Sequence, residues 1–396
     1  MNIRRIVAAL QIRSLLFIIW TSTIFSCASV TTIGPTTLTI PTMQVTEADQ
    51  QNAALAFISY TGDLLDYPDP VVDSILYFCV ANELKSQPLT VNKYELVWGP
   101  AVYKFEDVEL DDNMMFIVRR TETSEQEYVV VIRGTNPTSL SDWIVEDFNV
   151  AVTVPWEIPD KNLASTPGEP KISEGTSIGL EILQDLKPEI PGFDPVTVRE
   201  FLRQRIGSGE GVDKITIVGH SLAGALSPAF ALWLSDTRDS WDPDGSTQIN
   251  VTPIAGPTGG NRDYANYYDS QLAATTRRIH NPEDIVPLAW EMRDLASLPG
   301  LYVPNGIEAT GPERFLVKSA MDLVDGSDFE HIVRQAPSLS KNLPNPECKH
   351  ETYLDMAAWQ HHYGYYVGLD IYDAMKPLQA CAGNLTQLSP PCSSAE

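Results

Sequence analysis

Residues 214–234 place a β-branched run, a tight turn and an Ala/Leu-rich helix in one unbroken stretch. Lys214 to Val218 alternates Ile and Val at strand spacing, and Leu222 to Leu234 supplies helix formers. Gly219-His220-Ser221 joins the two. A strand that feeds directly into a helix is the building unit of an α/β fold with a mostly parallel sheet flanked by helices. A turn this short holds the serine out at the sheet edge, so Ser221 is a candidate nucleophile. The same turn aims the backbone N–H of Leu222 at a charge developing beside the hydroxyl. The plainer alternative is a serine that caps a helix. Position 223 is alanine where such turns favour glycine, an extra methyl expected to cost about 1 kcal/mol.

The rest of the chain supports that fold class. Thr46-Glu47-Ala48-Asp49 and Thr197-Val198-Arg199-Glu200 read as capping boxes that open helices, and Asp69-Pro70 as a cap followed by proline at the first helical position. Ser173 to Leu186 also reads as a helix. Tyr94–Val97, Ala101–Phe105, Met114–Arg119, Tyr128–Ile132, Ile249–Ala255 and Thr276–His280 read as strands.

The N-terminus reads as an export signal. Arg4, Arg5 and Arg13 precede the apolar run Leu15 to Phe25, which ends in small residues. Ile24-Phe25-Ser26-Cys27 resembles a bacterial lipobox, which would make Cys27 the lipidated N-terminus of the mature chain. Cleavage after Ala28 is the first alternative, and a retained membrane anchor the second, since Gln11 and Arg13 shorten the apolar run below a comfortable span. Residues 1–27 are therefore assigned to the signal, 28–45 to a Thr-rich tether and 46–396 to the folded domain. In an oxidising setting Cys79, Cys348, Cys381 and Cys392 allow three disulfide connectivities. Cys381 and Cys392 could staple the tail, and Cys79 reads as a buried thiol. A net charge of −25 repels phosphate backbones, so a nucleic-acid partner is not expected.

Four further segments carry chemistry. Val130-Val131-Ile132-Arg133-Gly134-Thr135 precedes the elbow, whereas Ala255-Gly256-Pro257-Thr258-Gly259-Gly260-Asn261, Asn281-Pro282-Glu283-Asp284-Ile285-Val286-Pro287 and His362-Tyr363-Gly364-Tyr365 follow it. Together with Gly219-His220-Ser221-Leu222, these resemble the class 3 lipases, the fungal-type triacylglycerol lipase family of the α/β-hydrolase superfamily. The resemblance implies an F-R-G-S/T strand end, a G-H-S-L-G-G elbow, a G-x-P-x-x-G-N turn, an N-x-x-D-I-V-P acid loop and an H-x-x-Y base. It assigns Ser221 as nucleophile, Asp284 as the orienting acid and Thr135 as the second oxyanion donor beside Leu222. His362 fits the base pattern, and His361 is the alternative because it would put Gly364 at the tyrosine position.

These assignments predict hydrolysis of a carboxylic ester through an acyl-enzyme, with no cofactor or metal. Acylglycerol is the first expected substrate. Phospholipid and feruloyl esters are alternatives on the same triad, and a catalytically silent lipid-binding lipoprotein is the non-enzyme reading. Trp143, Ile144, Phe148, Val150, Val152 and Trp156 are candidates for an apolar lid. The expected location is the cell envelope, tethered through Cys27, or the exterior.

Overall fold

A computed structural model describes residues 41–396 apart from 63–68, 104–112, 135–148, 159–166, 192, 342, 344–351, 376–377, 379–380 and 382–396. The signal, Cys27, most of the tether, Thr135, Trp143, Ile144, Phe148, Cys348 and Cys392 lie outside the described residues.

The chain opens with α1 (Glu47–Ile58) and α2 (Asp69–Ser86). The Thr46 hydroxyl accepts from the Asp49 N–H while the Asp49 carboxylate accepts from the Thr46 N–H, the reciprocal cap expected from the sequence. Strands β1 (Tyr94–Tyr103), β2 (Asn113–Arg120) and β3 (Glu127–Ile132) follow. The two strands expected over 94–105 form one strand, with register shifts between Leu96 and Ala101 absorbing the Gly99-Pro100 break. Next come β4 (Thr153–Pro155), β5 (Lys171–Ser173), α3 (Glu174–Asp185), α4 (Val198–Gly207), β6 (Lys214–His220), α5 (Leu222–Asp236), β7 (Gln248–Ile254) and α6 (Arg262–Leu272). Helices α7 (Met292–Ser297), α8 (Gly311–Val324), α9 (Tyr353–His361) and α10 (Tyr363–Gly368) complete the described elements.

The main sheet runs β1-β2-β3-β6-β7. Its leading edge is antiparallel, and from β3 through β6 to β7 it is parallel. Residues 276–279 extend the parallel part through bridges from Thr276 to Val251 and from Ile279 to Ile254. The Arg277 N–H donates to Val251 O, Ile279 N–H to Pro253 O and Ala255 N–H to Ile279 O. The rung between the first two would need an N–H from Pro253, which proline lacks, so this segment stays bridged and does not become a full strand.

Strand residues alternate between two cores, as a period of two requires. Met115, Ile117, Val130, Ile215 and Ile217 face Leu183, Leu202, Leu226 and Phe230 from α3, α4 and α5. Met114, Phe116, Val118, Val129, Val131 and Val218 face α1 and α2, joined by Leu369 and Ile371 from the C-terminal end. Helices therefore cover both faces, and the protein has the α/β-hydrolase fold, with a mostly parallel sheet around the elbow. A third core collects Ile285, Val286, Trp290, Leu295 and Tyr353 around the loop after the acid.

Cys79 on α2 is disulfide-bonded to Cys381, a span of 302 residues. This corrects the free-thiol reading of Cys79 and the expected Cys381–Cys392 staple. Residues so far apart come together only because α2 and the C-terminal segment share one core. Among the lid candidates, Val150 and Trp156 are buried, and the Trp156 indole donates to Asp236. These two are packing residues, while Val152 is exposed.

Candidate active site

Ser221 sits between β6 and α5 with φ 63° and ψ −127°, a conformation that L residues rarely adopt. Three features hold it there. The Ser221 N–H donates to Ile254 O at the end of β7 (3.0 Å), and the Gly224 N–H donates back to Ser221 O (2.7 Å). Gly219 is compulsory, because a Cβ there would lie 2.6 Å from the Ala223 Cβ. The methyl expected to strain the turn thus fills space that Gly219 leaves. The close helix-to-strand approach falls one residue later: a Cβ on Gly224 would stand 2.6 Å from the Gly256 Cα. Leu222 heads α5, where first-turn amides have no intrahelical acceptor. Its N–H is therefore available beside the hydroxyl.

His361, not His362, stands against the Ser221 hydroxyl. The Ser221 hydroxyl donates to His361 Nε2 (2.9 Å), and His361 Nδ1–H donates to Asp284 Oδ2 (2.9 Å). The expectation placed on His362 is corrected by local geometry. His361 is the last residue of α9, and His362, with φ −113° and ψ −76°, breaks the chain between α9 and α10. Neighbouring residues at a helix end project about 100° apart, so only one can face the serine. His362 packs beside it, with ring centroids 5.0 Å apart. The tyrosine that suggested His362 reaches the site from α10: Tyr365 donates to Asp284 Oδ2 at 3.0 Å.

Asp284 is fully buried and held on every side. Besides the His361 and Tyr365 donors on Oδ2, its Oδ1 accepts from the Val286 N–H (3.0 Å). Burial pushes the Tyr365 phenol well above its ordinary value, and the nearby Asp284 carboxylate adds to that, so it remains a donor. Asn281 ties the acid loop to the base helix, its amide donating to Gln360 O (3.1 Å) and to Gln360 Oε1 (2.7 Å).

His220 holds the base from the other side, a role that sequence reasoning missed when it assigned simple packing. A carbonyl only accepts, so His220 Nε2–H donates to His361 O (2.9 Å), and Nδ1 accepts from the Tyr60 hydroxyl (2.9 Å). The elbow therefore grips the backbone of the residue whose ring accepts from the Ser221 hydroxyl. His220→Phe is expected to lower kcat about 10–100-fold with KM nearly unchanged, because a loosened base costs rate before binding. Steady-state kinetics on a soluble ester, with circular dichroism to verify folding, would check this.

Burial holds His220, His280, His331 and His362 neutral, with pKa values well below 6.5. In the unfolded chain these rings take up protons near their ordinary value, so their contribution to stability is complete above about pH 6.5 and falls below it. The loss approaches about 1.4 kcal/mol per histidine for each pH unit. Urea melts at pH 8.5, 7.5 and 5.5 should show a midpoint that is nearly flat over the first step and drops over the second.

The sequence profile of the family described as Lipase (class 3) matches residues 129–292. The crystal structure of M37 lipase is 35% identical and superposes with a TM-score of 0.74, over 83% of this chain and 93% of that one. The triacylglyceride lipase of Rhizomucor miehei is 19% identical, covers 61% of this chain and 72% of its own, and has a TM-score of 0.38. No curated protein sequence matches the chain. The fold and the elbow define an α/β-hydrolase of the ester-hydrolase kind. The chain belongs to the class 3 lipase family.

Proposed function

We propose that this protein hydrolyses lipid carboxylic esters, acylglycerols first, through an acyl-enzyme on Ser221. The observation that carries the reading is the unbroken chain from the Ser221 hydroxyl through His361 to Asp284. Ser221 attacks the ester carbonyl as His361 Nε2 takes its proton, and the imidazolium is steadied by Asp284. The Leu222 N–H faces the oxyanion, and the second donor, Thr135, is assigned from its motif alone. His361 then protonates the leaving alcohol, and water repeats the cycle to release the acid. The aligned triad favours this over the silent lipid-binding reading.

Phospholipid is the second substrate class. An export signal and lipidation of Cys27 complete the proposal. The Cys79–Cys381 disulfide supports export, since such bonds persist in oxidising compartments. A p-nitrophenyl ester series tests the lipid assignment: kcat/KM should rise from acetyl toward medium or long acyl chains. A maximum at acetyl, with no turnover of emulsified triacylglycerol, would reject it.

A further inference from the structure

Beside the first turn of α5 lies a cavity of about 20 Å³ lined by Gly224, Gly256, Thr258, Tyr264, Arg278 and His331 among others. None of Ser221, Asp284 and His361 lines it. The volume suits one or two atoms of water size. Arg278 is only 8% exposed, yet among the described residues its one side-chain hydrogen bond runs from Nη2 to His331 Nδ1 at 3.3 Å. A guanidinium has five N–H donors. Among the described residues no acceptor is found for the others, and Arg278 lines the cavity. No carboxylate among the described residues pairs with Arg278 directly, and Asp294 and Asp269 act on it only from a distance.

Two neighbouring polar side chains, His331 and Thr258, are already committed. His331 Nδ1 accepts from Arg278, so Nε2 carries the proton and donates to Asp294 Oδ2 (2.9 Å). The Thr258 hydroxyl lies 3.0 Å from both Ala289 O and His331 Nδ1, so its proton serves one of those two. Among the described residues the buried cation meets no anionic acceptor, and a cation left in that condition is costly.

We propose that this cavity binds one small monovalent anion, of halide or formate size, on the Arg278 guanidinium. Pro228, Pro257 and Ile332 give the cavity apolar walls, and its small volume disfavours larger anions. Arg278 stands on the segment bridged to β7 that leads straight into Asn281 and Asp284. A bound anion therefore completes the charge balance under the acid loop, and its effect is on stability before chemistry.

The test compares the full chain in millimolar sodium gluconate, whose anion is too large, with sodium bromide and sodium formate. Bromide, formate or both should raise Tm by about 3 °C or more at saturation. The response should vanish in Arg278→Gln. Crystals of the unaltered protein soaked in bromide should show an anomalous peak against the Arg278 guanidinium, which decides the matter even if the variant does not fold. A Tm response to formate with no bromide peak would mark the site as carboxylate-specific, provided formate density occupies the cavity. Identical melting in all three salts, or only water beside Arg278, would overturn the proposal.

Discussion

His361→Ala should lower kcat on any ester about 10⁴-fold or more, whereas His362→Asn should stay within about tenfold of the unaltered protein. The contrast follows from position. His361 links Ser221 to Asp284 through both ring nitrogens, so its loss removes the one group among the described residues that stands against the serine hydroxyl. His362 packs edge-on against His361 and tilted against His220, so its replacement disturbs packing around a base that remains in place. Burst kinetics on a p-nitrophenyl ester would separate the two, since an absent base suppresses the acylation burst and a packing defect does not. Loss of activity in His362→Asn with retention in His361→Ala would reverse the assignment.

Cutting the Cys79–Cys381 bridge should produce the largest loss of stability. The bond closes a loop of 302 residues, for which chain entropy sets a ceiling of about 6 kcal/mol, and bridges commonly deliver about 2–5 kcal/mol of such a ceiling. It fastens the C-terminal end to α2, where Leu369, Ile371 and Cys381 help cover one face of the sheet. The Cys79→Ala, Cys381→Ala pair should melt about 5–10 °C lower than the unaltered protein, as calorimetry would read. The triad lies on other elements, so specific activity at low temperature should be retained. An unchanged Tm would show that the bridge adds nothing to that face.

Much of this architecture was legible in the sequence because its signals are local. A strand running into an Ala/Leu helix defines the elbow, and the paired caps at Thr46 and Thr197 fix helix starts within four residues. The acid loop was equally readable, since Asp284 takes its N–H bond from Val286, two residues on. What sequence could not supply depends on contacts between distant segments or on rotation about one bond. The choice between His361 and His362 turns on where α9 ends, and the Tyr365 spacing that favoured His362 is satisfied across the break between two helices. The His220 bond to the His361 carbonyl joins residues 141 apart, so a histidine beside the serine looked like packing. Pro253 was the one local clue that the 276–280 strand would be interrupted, but its consequence depends on which neighbour its missing N–H would have faced. The methyl of Ala223 looked costly because the glycine that makes room for it lies across the turn.

Labelling with a fluorophosphonate tests the whole construction most directly, because the reagent needs an activated serine and an oxyanion site together. Intact mass should show one adduct per chain, peptide mapping should place it on Ser221, and His361→Ala should label far more slowly. A well-folded protein that remains unlabelled, or that carries the adduct on another residue, would contradict the account.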